Sequence, residues 1–176
     1  MRRKDREMDR AFGLEVIDKA AYGVLSLAED EGRAYGIPLS IAREGDTLYF
    51  HSAKAGKKIG LIRDGMPVHV VFVGNCQVPR GMSAQEAAEA AKTPETFGLL
   101  TSRLFTTEFE SAMVTGVIRS LSAEAEKTRG LLAIAEKFTP QWMEYFPQAI
   151  ESGLQFTAVY AVDIKEITAK RKKVDA

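Results

Sequence analysis

The residues best placed to do chemistry lie between Thr47 and Ile62, where the sequence reads TLYFHSAKAGKKIGLI and an apolar strand gives way to a lysine-rich helix start. Backbone N–H groups at the start of a helix have no partner within the helix and carry partial positive charge, so they favour an anion. Lys54, Lys57 and Lys58 add full charges nearby. The stretch therefore predicts a site for a phosphate-bearing ligand, although lysines at a helix start are also common where the helix is simply solvated.

Other familiar catalytic patterns do not occur in this sequence. It contains no G-x-S-x-G elbow, no Walker loop, no G-x-G-x-x-G after the first strand and no histidine pair at metal spacing. These absences disfavour a hydrolase, an NTPase, a Rossmann dehydrogenase and a histidine-based metal site. The second histidine, His69, lies in the apolar run VHVVFV, where a lone histidine is usually a hydrogen-bonded core residue.

Length and composition describe a small protein without strong charge. A chain of 176 residues predicts one domain, residues 1–176, with one core. Lysine plus arginine and aspartate plus glutamate each number 24, so neither nucleic acid nor an anionic membrane is an expected partner. Cys76 is the only cysteine, which suits a reducing compartment. With no apolar run of about 20 residues and no signal peptide, we expect a cytoplasmic protein.

The hydrophobic pattern favours a mainly β protein with flanking helices. Alternation and β-branched residues predict strands over residues 22–28, 35–41, 47–51, 68–73, 105–118 and 154–164. Helical spacing predicts helices over residues 11–21, from Ala55 to Ile62, after a capping box at Ser83, and from a Ser122 cap to Phe138. The first ten residues are expected to form a solvated arm or to lie across a partner subunit, and the basic tail ITAKRKKVDA is expected to be solvated at its end.

Several of these strands carry more specific expectations. In the strand from Thr47, Leu48 and Phe50 should face one side, and Tyr49 and His51 the other. Pro38 cannot donate to a ladder, so it indicates an edge strand, a bulge or a place where a ligand meets the backbone. The run at residues 68–73 predicts a strand buried on both faces. Gly116 predicts a bend or a bulge.

Two further segments leave alternatives open. Residues 78–98 read as a helical insertion, which would act as a lid over a site, as a subunit contact, or as an excursion without a role. Trp142 stands close to Tyr145 and Phe146, and this cluster predicts either a hydrophobic plug under a loop or one wall of an aromatic ligand pocket.

Several motifs resemble those of a known family. The opening MRRKDREM, the strands YGVLSLA and YGIPLS, and above all TLYFHSAKAGKKIGLIR resemble the nitroimidazole-resistance branch of the pyridoxamine 5′-phosphate oxidase-like, FMN-binding split-barrel family. The resemblance is close over residues 1–75. It is looser but still in order through FTTEFESAMVTGVI and VYAVDIKEITAKR.

The resemblance implies a homodimer of six-stranded antiparallel split β-barrels, with FMN in a cleft between the subunits. By position, it implies that FMN contacts two runs of three residues, a phosphate-holding pair and two residues from the partner chain. These are Pro38, Leu39 and Ser40 beside the ring; His51, Ser52 and Ala53 along the ring edge and ribityl chain; Gly56 and Lys57 at the phosphate; and Thr106 and Trp142 from the partner chain.

Two hypotheses about function follow from the resemblance. In the first, the protein is an FMN-dependent oxidoreductase that takes electrons from NAD(P)H and reduces a small, nitroaromatic-type acceptor near His51, the candidate catalytic residue. In the second, it binds or senses flavin or haem without catalysis, with His51 or His69 as axial ligand. The sequence ends in ITAKRKK and lacks the arginine-and-histidine signature of true pyridoxamine phosphate oxidases, so that activity is not expected.

Overall fold

Eight strands form one antiparallel sheet in the computed structural model, which describes residues 2–29, 32–79 and 83–174. The strands are β1 (Glu7–Met8), β2 (Gly23–Ala28), β3 (Ala34–Leu39), β4 (Ala42–Glu44), β5 (Thr47–Ala53), β6 (Pro67–Gln77), β7 (Glu108–Ser120) and β8 (Thr157–Lys172). The helices are α1 (Arg10–Lys19), α2 (Lys57–Leu61), α3 (Ala84–Ala90), α4 (Pro94–Leu104), α5 (Glu124–Phe138) and α6 (Phe146–Gly153), with short 3-10 turns at Lys4–Arg6, Pro140–Tyr145 and Leu154–Phe156.

The sheet must curl because its two ends are neighbours in the chain. Its strand order is β3-β2-β6-β7-β8-β5-β4, with β1 added on β8. β3 ends at Leu39 and β4 begins at Ala42, so only Ser40 and Ile41 join the two outermost strands. Two residues span less than about 11 Å even when extended. The outermost strands therefore meet at this corner, and the sheet forms a half-open barrel.

The barrel interior is filled by the inward face of nearly every long strand. Leu25 of β2, Phe50 of β5, Phe72 of β6 and Val114 of β7 belong to one buried cluster, and each is 0% exposed. Helix α1 adds Val16 and Ile17 to the same cluster. Strands from both halves of the sheet thus share one core, as curling requires.

Helix α5 covers half of the outer face of the sheet. Tyr49 of β5 and Val159 of β8 pack with Ile134 of α5 in a second buried cluster. The helix can approach closely because residue 130 is glycine: a Cβ there would lie 2.8 Å from the Tyr49 ring. The other half of the outer face, formed by β2, β6 and β7, is more open: Val73 and Met113 are 42% and 47% exposed there.

The predicted fold class is confirmed, with two short strands, β1 and β4, beyond the six expected. The β2–β3 hairpin, the edge position of Pro38, the two faces of β5, the bulge at Gly116 and the Ser83 capping box are also confirmed.

Other expectations were wrong. β6 alternates between buried and exposed residues, so only one of its faces is buried within the chain. His69 is exposed on the open face and hydrogen-bonds to Thr115, with 3.3 Å between Nδ1 and Oγ1. Ala123, rather than Ser122, stands before α5, without a side-chain cap.

Both ends of the chain pair further than expected. The last strand, predicted to end at residue 164, continues as β8 to Lys172, and β7 supplies its partner over that stretch. In the N-terminal segment, for which a solvated arm was one expectation, Glu7–Met8 pairs with β8. The insertion forms α3 and α4 and reaches Leu104, beyond the predicted limit at 98; residues 80–82 of it lie outside the described part of the chain.

Candidate functional site

The β3–β4 corner brings two of the predicted site segments together. Ala42 pairs with Tyr49 in the β4–β5 ladder, and extending that register by two residues sets Ser40 opposite His51. Opposed residues of an antiparallel pair point to the same face of the sheet. Ser40 and His51 both line one pocket on the outer face. Two positions eleven residues apart in sequence thus form one site because the sheet curls.

Helices α5 and α6 form the opposite wall of this pocket, called here the α5–α6 pocket. Its volume is about 370 Å³. Most of its lining is apolar and comes from the two helices and the turn after α6. The lining residues are Ser40, His51, Leu131, Ile134, Ala135, Phe138, Thr139, Phe146, Ala149, Ile150, Gly153, Leu154 and Thr157.

The imidazole of His51 lies on the sheet side of this pocket and is exposed. Although its side chain retains accessible surface, it faces a cavity lined mainly by apolar groups. This partial burial, together with the charge of Lys58, lowers the pKa of His51 from its usual 6.5. At neutral pH the ring is therefore uncharged and can donate one hydrogen bond and accept another.

Ser52 and Ala53 do not share the environment of His51. Ser52 alternates to the barrel side of β5, is 9% exposed, and donates its hydroxyl to the carbonyl oxygen of Ala53 at 2.7 Å. Ala53 is exposed and ends the strand. Of the three consecutive residues predicted to line a cofactor, only His51 lines the pocket.

Pro38 and Leu39 lie on opposite faces of β3, at the free edge of the sheet. Pro38 is exposed on the outer face, next to Val24 of β2 in register. Leu39 turns inward and packs against the barrel core. Because Pro38 and Ser40 share a face, the exposed edge of Pro38 leads directly to the α5–α6 pocket.

The predicted phosphate residues lie at the start of α2. Gly56 precedes this five-residue helix with φ of 115°, a conformation that side-chain-bearing residues rarely adopt. Lys57 is already engaged: its Nζ lies 2.6 Å from a carboxylate oxygen of the mostly buried Glu29 and 4.9 Å from the ring centre of Tyr35. A phosphate at Lys57 would have to share the ammonium with Glu29.

Thr106 and Trp142 are not brought to the corner within one chain. Thr106 accepts a hydrogen bond from Lys172 before β7 begins. His51 pairs with Val159 of β8, which lies level with the last residues of β7, whereas Thr106 precedes the first. Because β7 has 13 residues and is about 40 Å long, Thr106 and His51 are far apart within one chain. Trp142 is 57% exposed beside Tyr145, so the first of its two alternatives, a buried plug under a loop, was wrong. Of this aromatic cluster, Phe146 lines the pocket.

Two contributions to the site were missed at the sequence level. Helix α6 was not predicted, although Phe146, Ala149 and Ile150 have the spacing of one helical face. Lys137 was also missed: its Nζ donates to the carbonyl oxygens of Ile17 and Ile41 at 2.8 and 2.9 Å. It ties α5 and the end of α1 to the β3–β4 corner. No local pattern reveals this contact, since the partners are 120 and 96 residues away.

A second cavity of the described residues has a simpler explanation. A cleft of about 390 Å³ beside Lys137 is lined by charged groups that already pair, Arg43 with Asp18 and Arg129 with Glu44.

Among the residues described, no three His, Cys, Asp or Glu side chains come together as a metal site. Within the same ranges, every helix is too short or too polar to cross a membrane.

Comparison with known proteins supports the resemblance seen in the sequence. The family model described as Pyridoxamine 5′-phosphate oxidase matches residues 9–80, which include β2 to β6 and the corner. This match confirms the predicted resemblance to that family. Comparison with curated protein sequences finds no match.

Solved structures match over nearly the whole chain. A candidate 5-nitroimidazole antibiotic resistance protein from Bacteroides thetaiotaomicron is 21% identical, with a TM-score of 0.68 over 94% of this chain and 86% of that one. An FAD and heme binding protein from Mycobacterium smegmatis is 19% identical, with a TM-score of 0.73 over 97% and 77%. A flavocytochrome from Azotobacter vinelandii is 20% identical, with a TM-score of 0.67 over 96% and 71%. These similarities establish the shared fold.

Proposed function

We propose that this chain, which carries the pyridoxamine 5′-phosphate oxidase family pattern over residues 9–80, is a flavin-binding protein. We further propose that the flavin is FMN, and that the protein uses it to reduce a small acceptor beside His51. The single observation that carries this proposal is the corner that sets Ser40 next to His51 at one pocket, with Pro38 two residues before Ser40 on the edge strand β3. Structures of the same fold are named as flavin-binding proteins, which points to the same cofactor class.

The residues at the corner fit a flat, polar-edged ring. Pro38 has no N–H to leave unpaired and exposes an apolar surface on an edge strand. Ser40 and the neutral His51 supply hydrogen-bonding groups at the rim of an apolar pocket. When bound, FMN would supply the electron transfer, and the chain would orient the ring and shield one side of it from water.

Three groups near α2 fit the phosphate. Lys54, Lys57 and Lys58 give this turn three positive charges, and Glu29 offsets only one of them. Tyr35, beside Lys57, precedes Pro38 by three residues of strand, or about 10 Å. Tyr35 and Pro38 face opposite sides of β3, so a ligand that contacts both would pass over the free edge of that strand.

The open half of the outer face supports a homodimer. Val24, Val71 and Met113 are opposed in the ladders β2–β6 and β6–β7 and form an apolar row. Pro38 continues this row at the sheet edge. A second copy seated on the row would leave the cofactor residues at the rim of the interface, where Thr106 and Trp142 of that copy would approach the ring.

A second function is favoured by one specific observation. Two structures of this fold are named as proteins that contain haem as well as flavin. His51, at a pocket of about 370 Å³, and His69, on the open sheet face, are the two histidines that would serve as axial ligands. In this alternative the protein would store or sense the cofactor without turnover.

The absorption spectrum of the purified protein tests the proposal. We expect the two-band spectrum of an oxidised flavin, bleached by reduced nicotinamide without oxygen and restored by a nitroimidazole. A Soret band in place of the flavin bands would overturn FMN binding and favour the haem alternative. A flavin spectrum that neither bleaches nor recovers would overturn the oxidoreductase and leave a flavin-binding protein.

A further inference from the structure

The α5–α6 pocket continues beyond the corner that is proposed to hold the flavin. Ser40 and His51 belong to both places, whereas Phe138, Phe146 and Ile150 lie on the helical side. These helical residues form the opposite wall of the same pocket. None of them is among the residues proposed to hold the flavin, so this helical part of the pocket, called here the recess, is open to a second molecule beside His51.

The charge of the lining restricts what this second molecule can be. Of the thirteen residues that line the pocket, none is aspartate, glutamate, lysine or arginine. The hydroxyls of Thr139 and Thr157 already donate to the carbonyl oxygens of Ala135 and Gly153, at 3.1 and 3.0 Å. An ionised ligand group placed against the helical part of the lining, away from Lys58, would lose its hydration without a counter-charge, which is costly.

The remaining polar groups indicate where a ligand would be held. Within the described ranges, no side-chain hydrogen bond or ion pair engages Ser40 or His51. Both lie on the sheet side of the pocket, and apart from Thr139 and Thr157, whose hydroxyls are already engaged, the rest of the lining has no polar side chain. A ligand that fits this distribution has one polar end and an apolar body.

The volume of the α5–α6 pocket limits the size of the ligand's apolar body. Small-molecule pockets generally enclose about 300 to 1,000 Å³, and this pocket of about 370 Å³ is at the lower end. A compound of one or two rings fits that space. Phe138 and Phe146 add aromatic surface against which such rings pack well.

We propose that the α5–α6 pocket binds the electron acceptor, and that this acceptor is a neutral compound of one or two rings with a polar atom directed at His51 and Ser40. This inference rests on the proposed flavin function, since it names the class of acceptor for that site. It differs from the general expectation of a small acceptor because it excludes anionic compounds and assigns the acceptor to α5 and α6.

Two probes with the same ring system, one neutral and one anionic, test the proposal by isothermal titration calorimetry on the purified protein. They are 2-naphthol, which is neutral, and 2-naphthalenesulfonate, which has the same rings and a fixed negative charge. We expect 2-naphthol to bind at least about tenfold more tightly than the sulfonate, because the anion would be desolvated without a partner.

A pair of neighbouring variants locates the binding. Ala149 lines the pocket and is exposed on α6, so Ala149→Phe should fill the recess without disturbing the core. Gln148→Phe adds the same side chain at the next position, outside the pocket lining, and is the matched control. We expect at least a tenfold loss of 2-naphthol affinity for Ala149→Phe and no change for Gln148→Phe. Ala149→Leu is a smaller second variant if Ala149→Phe unfolds.

The outcomes separate this proposal from the flavin proposal. Equal affinity for both probes, equal losses in both phenylalanine variants, or no binding of 2-naphthol would overturn the pocket assignment. The flavin content of each sample is read from its spectrum. A flavin-containing protein that does not bind 2-naphthol refutes the pocket alone. A protein that binds 2-naphthol but takes up no added FMN refutes the flavin function and with it the acceptor role, and leaves only a pocket for a neutral ring compound.

Discussion

His51 is the residue whose chemistry depends most on its surroundings. Partial burial and the charge of Lys58 lower its pKa from 6.5, so the unfolded chain binds this proton more readily than the folded one. The free energy of unfolding should therefore fall as the pH drops below about 6.5, and His51 should contribute no pH dependence above that range. Urea unfolding at several pH values measures this slope.

The variant His51→Gln should flatten the acid side of that profile, because glutamine does not titrate. His69→Gln removes the other histidine of the chain and serves as the control. If His51→Gln and the unmodified protein lose stability in parallel as the pH falls, the imidazole is not desolvated as described. Lys58→Met should shift the His51 titration upward in an NMR titration, since it removes the repelling charge.

Lys57 tests where the flavin phosphate is held. Lys57→Glu reverses a charge at the start of α2 and places a second carboxylate near Glu29. We expect the flavin content of the purified protein to fall severalfold, because phosphate and carboxylate repel. Lys165→Glu makes the same change at an exposed position of β8 and should leave flavin content unchanged. Equal flavin content in both variants would place the phosphate elsewhere.

At the scale of elements, the β3–β4 corner depends on α5 through Lys137. Lys137→Met keeps the length of the side chain but leaves the carbonyl oxygens of Ile17 and Ile41 without their donor. The adjacent charged cleft admits water, which should limit the loss of stability to about 1 kcal/mol. We also expect weaker FMN binding, because the corner that carries Ser40 would be held less firmly.

Denaturant unfolding and FMN titration measure these two effects, with Lys165→Met as the control for loss of an exposed lysine. The pKa of Lys137 is lowered by burial, so removing its charge also relieves a desolvation cost. Unchanged stability together with unchanged FMN affinity would show that the two hydrogen bonds do not position the corner.

The sequence predicted those elements whose pattern is local. The two faces of β5, the Gly116 bulge and the Ser83 cap depend on neighbouring residues, so alternation and turn chemistry were sufficient. The predicted end of the last strand, at residue 164, was wrong. Lys170 and Lys172 belong to a basic tail with no strand pattern of its own, and β1 and β7 pair with it from distant parts of the chain. The α5–α6 pocket was missed for the same reason, since it forms only when α6 packs beside α5.

At the scale of the whole molecule, the same principle explains β6. Its run VHVVFV suggested burial on both faces, but within one chain Val73 stays 42% exposed and Val71 is only half-buried. Val71 opposes Met113 of β7, which is 47% exposed, so the apolar residues of the second face form a continuous surface. If a second copy covered this surface, both faces of β6 would be buried, as the sequence predicted.

Met113→Asp tests whether a second copy covers that face. An aspartate in the apolar row would bury an unpaired charge in a dimer, so we expect the variant to sediment as a monomer. Phe156→Asp alters a residue that is 69% exposed outside the row and should leave the assembly unchanged. Because Pro38 stands at the edge of the row, the monomeric variant should also lose flavin. A Met113→Asp protein that stays dimeric would exclude this face as the interface, and a monomer that keeps its flavin would place the cofactor within a single chain.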